Sequence, residues 1–322
     1  VNNSFNPSAR FPWKSFLAVI VTIAVFIILF SKIDIYRTAE FLSRINPGYL
    51  AVSVFISMFS NIILPAEEWR LILRAMGEEV PFLGLLLIKL GIAPIKNAGP
   101  LKSGEFFRAF CLKKMFGISF FVGALSVFIS LLTGLFVLFL ISLIGCLWFA
   151  ANPYGILYLS SFGLLAVLLF MMFFCRGCGI NRLCLFCDKF SGRLSDILRK
   201  IWNLSTKIRL KRLVIPVALG IIIKLSELLV FFFIFKGLGV EFPLSYIFIF
   251  VPVTMLVSII PVAFLGMGIR EGVIVLLFSG YASPEKILGG GLLFSFVDYI
   301  LPAAIGGFFT GHLMGKIIGK AK

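Results

Sequence analysis

The run "ISFFVGALSVFISLLTGLFVLFLISLIG", residues 118–145, carries no ionisable side chain over 28 positions. A helix of about 20 apolar residues already crosses the hydrocarbon of a bilayer, so a stretch this long and this pure excludes an ordinary soluble fold. Other runs repeat the pattern. We place membrane spans at 14–31, 49–65, 119–145, 154–175, 214–236, 246–263, 268–281 and 287–311. Only 14% of the residues are charged, and the spans use nearly the whole length, which leaves no room for a separate soluble domain. The expected fold class is an all-α polytopic membrane protein of about eight transmembrane helices, with one or two re-entrant or broken helices and an inverted pseudo-repeat. Residues 1–12 read as a disordered N-terminus and 13–322 as one integral-membrane, transporter-like domain. Its first half is 13–175, followed by a basic cytoplasmic loop 176–213 and a second half 214–322. The first apolar run follows Arg10 and Lys14 without a small-residue cleavage site behind it, so it reads as a retained signal anchor.

Orientation follows from the cations. Segment 176–213 holds ten Lys and Arg against Asp188 and Asp196, a net +8 out of +16 for the chain. Lys and Arg accumulate in cytoplasmic loops, which puts this loop and both termini inside, in the cytoplasmic membrane of a prokaryote. Within it Leu194, Ile197, Leu198, Ile201, Leu204 and Ile208 recur at helical spacing, with Arg193, Lys200 and Lys207 elsewhere on the wheel. A basic amphipathic helix beside a membrane lies in the headgroup layer with its cations on anionic lipid; the same charge also serves simply to fix topology. Between membrane spans, lipid and not nucleic acid is the expected counter-charge.

The segment "KNAGPLKSGEFFRAF", residues 96–110, is polar and glycine-broken between apolar stretches. With both flanks on the cytoplasmic side, residues 82–112 must enter and leave on one face. A re-entrant hairpin fits better than a surface loop with an interfacial helix, because "FLGLLLIKLGIAP" is too short to span and too apolar for a loop. Non-helical backbone at membrane depth survives only inside protein or around a water-filled cavity. "NAGP" is then the break and "SGEFFRAF" the returning half-helix, with Ser103 as N-cap and Glu105 and Arg108 on one helical face. "IIPVAFLGMGIREG", residues 259–272, repeats the idea with adjacent Arg270 and Glu271. Two broken elements in corresponding positions of two halves point to a transporter's central site.

The order of "EEWRLILRAMGEEV", "NAGPLKSGEFFRAFCLKKMFGIS" and "IPVAFLGMGIREG" resembles the lysyl-phosphatidylglycerol synthase transmembrane-region family, over about residues 14–312. Members form the flippase part of multiple peptide resistance factors and also occur as stand-alone membrane proteins. The resemblance carries Asn97, Pro100, Gly104, Glu105 and Arg108 onto the first motif, and Pro261, Gly266, Gly268 and Glu271 onto the second. It departs where the family often has a Glu-Arg pair, since this chain reads "LSVFISLLTG", and no Arg follows Arg270. The cargo implied is therefore not restricted to an aminoacylated phospholipid, and the sequence holds no soluble aminoacyl-transferring domain.

Lys224 and Glu227 stand in the middle of a span, three apart and able to pair. Asp298 lies in another span without an obvious partner. Ionisable residues inside a membrane mark pathways by default, so these three are the coupling candidates, with a structural ion pair as the alternative for the first two. Asn97, Lys102, Ser103, Glu105, Arg108, Arg270 and Glu271 are the substrate-binding candidates, in which paired arginines meet a phosphate's oxygens. Lys89 reads as a snorkelling residue. Cys175, Cys178, Cys184 and Cys187 form two CxxC pairs, but five residues between the pairs is short for a zinc ribbon, which leaves them a weak metal candidate. His312 is the single histidine, so no catalytic constellation emerges and no cofactor is expected. Gly307, Gly311, Gly315 and Gly319 make a small-residue stripe on the last helix, read as packing within the chain in preference to a dimer contact. The expectation is a flippase for an anionic or isoprenoid-linked lipid, with anionic phospholipid or polyprenyl-phosphate lipid as partner and a homodimer or lipid-modifying enzyme as further partners. The alternative is a lipid-modifying membrane enzyme or its non-catalytic companion.

Overall fold

The computed structural model describes residues 33–94, 104–148, 210–258 and 268–319. The expected spans 14–31 and 154–175, most of the basic loop with its four cysteines, and the two glycine-proline breaks lie outside these residues. Asn97, Lys102 and Ser103 go with the first break. Among the described residues all regular structure is helical.

A short helix α1 (Ile35–Ser43) precedes the long α2 (Pro47–Ala75). Asp34 caps α1 through Tyr36 and Arg37 amides at 2.9 and 3.2 Å. Asn46 starts α2, with Pro47 as the first helical residue, where its missing N–H costs nothing. Next come α3 (Phe82–Ile92), α4 (Phe107–Phe116) and α5 (Phe120–Trp148). After a 3-10 turn (Leu210–Leu213) follow α6 (Val214–Gly237), α7 (Leu244–Val257), α8 (Ile269–Phe278) and the long α9 (Pro284–Ile317). Helices α2, α5, α6 and α9 are long and apolar enough to cross a bilayer.

The others are not. At 1.5 Å per residue α3 spans roughly 16 Å, α7 roughly 21 Å, and α4 and α8 roughly 15 Å each, against about 30 Å of hydrocarbon. The expected hairpin at 82–112 is therefore present as the pair α3 and α4. Within the segments drawn as separate crossings at 246–263 and 268–281, the described residues form a second pair of half-length helices, α7 (Leu244–Val257) and α8 (Ile269–Phe278). Exchanging two crossings for one hairpin leaves the direction of every later helix unchanged.

Two apolar clusters reveal how these parts are arranged. At one end Ile72 and Ala75 of α2 meet Leu125, Ile129 and Leu213, while Val80, Met115, Ile118 and Val122 meet Leu313 and Ile317 of α9. At the other end the Asn46 amide donates to the Gly237 carbonyl at 2.9 Å, and α1 covers Gly289 with Thr38 and Leu42. A phenylalanine-rich core, Phe231, Phe235, Phe242, Phe278 and Phe294, fills this end. So α2 and α6 run antiparallel side by side, and hairpin α3–α4 enters from the first end while α7–α8 enters from the second. The contacts recur in pairs: α3 on α9 and α7 on α5, α4 on α5 and α8 on α9. Helix, hairpin, helix, twice, with opposite polarity, is the inverted repeat.

The glycines of the last helix differ in their surroundings. Among the described residues, nothing lies within 4 Å of a side chain built at Gly307, Gly311 or Gly315. The close approach is at Gly306, where an added Cβ would stand 2.4 Å from the Leu90 carbonyl oxygen and 2.7 Å from Ala93. Among the described residues, the close contact of this helix is thus one position away from the stripe.

Candidate membrane-embedded site

Both long helices α2 and α9 contain a five-residue π-helical turn, Phe59–Ile63 and Phe296–Ile300, each after twelve α-helical residues. Sequence explains both. "FSNIILP" and "FVDYILP" end in Leu-Pro, and a helical proline has no N–H for the carbonyl four residues back and crowds it with its ring. Those carbonyls belong to Asn61 and Asp298, the polar residues of the two turns. Widening to i→i+5 bonds relieves the clash, and such π turns recur at functional sites.

The turns face each other. Asn61 Nδ2 donates to Asp298 Oδ1 at 2.7 Å and contacts Ser57 Oγ at 3.1 Å. Ser57 Oγ lies 2.9 Å from the Val297 carbonyl and 3.2 Å from Asp298 Oδ1. Asp298 is buried. The partner that the sequence did not offer it is thus on the first long helix.

Around this node the hairpins supply charge. Glu105, in the 3-10 turn that leads into α4, and Arg108 on α4 form an ion pair with side chains 9% and 7% exposed, and the guanidinium lies 5.3 Å from the Trp69 ring. Trp69 is held by its own indole N–H, which donates to Ser126 Oγ at 2.9 Å. Arg108 also lines a small cavity of about 20 Å³ with Asn61, Lys89 and Pro302, so the first hairpin reaches the π turns of both long helices. On α8 the pair Arg270–Glu271 is fully buried, with Nη2 to Oε1 at 3.2 Å. Arg270 lies 4.1 Å from the centre of the Tyr299 ring and donates to Ser295 Oγ. The second oxygen of Glu271 accepts the Gly268 amide at 2.5 Å. Gly268 has φ +84°, a backbone that a side chain would strain, which is why the motif puts glycine there.

Lys224 and Glu227 pair on α6 at 2.7 and 2.8 Å, as their spacing implied. Glu68 was missed. It sits where α2, α5 and α6 meet, accepts from Ser130 Oγ at 3.3 Å and has Lys89, Lys224 and Arg108 in electrostatic reach. Lys89 therefore faces the interior charge and does not snorkel to the surface. Asn61, Ser57, Ser295 and Tyr299 were also missed; the repeated F-x-[N/D]-x-I-L-P would have found the first and last of the two turns.

Each motif arginine retains a buried donor. Arg108 Nε and Arg270 Nη1 have no hydrogen-bond acceptor among the described residues. Leaving a buried charged donor unmet costs about 1–3 kcal/mol, so such atoms mark places where an acceptor is expected. No group of three His, Cys, Asp or Glu with metal-binding proximity occurs among the described residues.

The family model for the lysylphosphatidylglycerol synthase TM region matches residues 15–306. The chain belongs to this family. A UPF0104 membrane protein of Methanocaldococcus jannaschii is 22% identical over 96% of this chain and 97% of its own length. Both similarities run through the two hairpins and all four long helices, so in this lysylphosphatidylglycerol synthase TM-region protein the buried charges belong to the matched region itself. It is a multi-pass membrane protein whose family is tied by name to a membrane lipid.

Proposed function

We propose that the protein is a lipid flippase, in which Arg108 and Arg270 receive the phosphate of an anionic phospholipid or polyprenyl-phosphate lipid. One observation carries the reading. Two re-entrant hairpins from opposite ends each bring a buried arginine with an unspent N–H into the same polar layer. Guanidinium binds phosphate oxygens through its planar fork, and the inverted repeat gives each membrane face one such hairpin. Glu105 and Glu271 neutralise the arginines when no lipid is bound. The reaction is relocation and not bond chemistry, and the basic loop facing the cytoplasm gathers anionic lipid at that side.

The test uses proteoliposomes with fluorescent anionic and neutral lipids. Arg108→Lys and Arg270→Lys keep the charge but lose the fork. Loss of one charge-assisted bond of about 1.5–3 kcal/mol predicts transport slowed roughly ten-fold or more, with normal expression and unchanged behaviour on gel filtration. Unimpaired transport in both variants refutes the arginine clamp. No leaflet exchange of any anionic or polyprenyl-phosphate lipid by the wild type refutes the flippase and favours a role beside, or as, a lipid-modifying enzyme.

A further inference from the structure

The π-turn node contains one hydrogen too few. Four polar contacts join its members: Asn61 to Asp298, Asn61 to Ser57, Ser57 to the Val297 carbonyl, and Ser57 to Asp298. An amide carries two donor hydrogens and a hydroxyl one, and a carboxylate and a carbonyl carry none. Asn61 spends one hydrogen on Asp298 and one on Ser57, and Ser57 gives its only hydrogen to the closer acceptor, Val297. The Ser57–Asp298 contact at 3.2 Å then lacks a hydrogen unless Asp298 supplies it.

The surrounding charge leads to the same result. Among the described residues the buried layer has five carboxylates, Glu68, Glu105, Glu227, Glu271 and Asp298, against four cations, Lys89, Arg108, Lys224 and Arg270. Glu105, Glu227 and Glu271 have ion-pair partners within three residues of themselves, and Lys89 is the foremost of the cations that act on Glu68. Asp298 is left with neutral donors from α2. Lys224 and Glu227 on α6 and Arg270 on α8 act on it electrostatically, and it acts in turn on Tyr299 of its own helix, but no ion pair to it forms among the described residues. A buried carboxylate without a paired cation is neutralised most cheaply by a proton. A metal cation would face the Asn61 amide hydrogens, which repel it.

We propose that Asp298 is a proton-binding site, and that its proton holds α2 and α9 together where their π turns meet. The proton sits on the carboxyl oxygen and donates to Ser57 Oγ. Its departure to water leaves a carboxylate with one contact unfilled and frees the turns to separate toward Lys224 or Arg270. Given the flippase reading, on which this rests, proton entry and release at Asp298 drives the cycle that moves the lipid.

Two measurements separate the proposals. The first needs no lipid transport: infrared difference spectra of the purified protein between acid and alkaline pH. Asp34, Asp188, Asp196 and Asp298 are the chain's aspartates, and Asp34 is exposed, so ¹³C-aspartate labelling reads the site even if a variant misfolds. We expect a buried carboxylic-acid band that shifts on ¹³C-aspartate labelling and is absent in Asp298→Asn. No such band, or one that survives the substitution, overturns the proton site. The second applies a pH gradient to proteoliposomes. Wild-type exchange of a fluorescent anionic lipid should change several-fold with the gradient, and Asp298→Asn, which keeps a permanent donor, should not respond. A wild type that moves lipid at a rate indifferent to the gradient overturns the coupling. A protein that shows the band but moves no lipid refutes the flippase and upholds the proton on Asp298.

Discussion

Gly306 and Gly307 are neighbours on α9 with opposite surroundings, and the difference can be measured. Alanine at either position gains roughly 1 kcal/mol of helix propensity. At Gly307 the methyl meets nothing within 4 Å among the described residues, so that gain is the expected effect. At Gly306 the methyl would stand 2.4 Å from the Leu90 carbonyl oxygen and 2.7 Å from Ala93 Cβ, with the Leu90 carbonyl carbon at 3.3 Å. The first obstacle is backbone and cannot swing aside, so α3 must withdraw from α9. Overpacking of this kind costs about 1–3 kcal/mol, and the withdrawal also stretches the 2.9 Å bond from Thr310 Oγ1 to the Gly91 carbonyl. Gly306→Ala should therefore be less stable than Gly307→Ala by about 1–3 kcal/mol. Reversible unfolding of the two purified variants in mixed micelles reads the difference directly. Equal stabilities would mean that α3 does not cross α9 at this point, and the cavity beside Arg108 would lose its wall.

Lys224→Met alone should destabilise the protein by about 3–5 kcal/mol by stranding Glu227, whereas the double change Lys224→Met with Glu227→Met should recover most of that loss; micelle unfolding distinguishes the two, and an equally unstable double variant would show that the pair has other partners. On a background free of native cysteines, Glu241→Cys between α6 and α7 should react with an impermeant maleimide from outside intact cells, and Glu79→Cys between α2 and α3 only after permeabilisation. Labelling of both from outside would contradict hairpins that enter from opposite faces.

The half of this architecture that depends on local sequence was readable. A polar, glycine-rich stretch between apolar runs announces a break, and ion pairs spaced i,i+3 announce themselves. Segment 246–281 was harder, because an apolar run looks alike whether it crosses or turns back, and only packing against α5 and α9 decides. Asp298 was singled out as unpartnered because Asn61 lies 237 positions away, and no local pattern reports such a distance. The close approach at Gly306 was hidden for a related reason. A helix that is apolar on every side has no amphipathic signature to say which face meets a neighbour, so Gly306 and Gly307 look equivalent until α3 is in place. Glu68 escaped notice, and Lys89 read as snorkelling, because each borders a surface-like motif and turns inward only in three dimensions.

The long helices also have a mechanical consequence. Helix α2 contributes Val54 and Ile56 to the phenylalanine-rich core and Trp69 and Leu73 to the opposite one, while α9 contributes Phe294 to the former and Leu313 to the latter. Each is a shaft clamped at both ends by close-packed hydrocarbon, with its wider, looser coil at the stretch between the clamps. Torque applied at one bearing is taken up in that middle coil and reaches the other bearing weakened. One end of the bundle can thus loosen while the far end stays shut, which is what the proposed flippase would need to keep the membrane sealed.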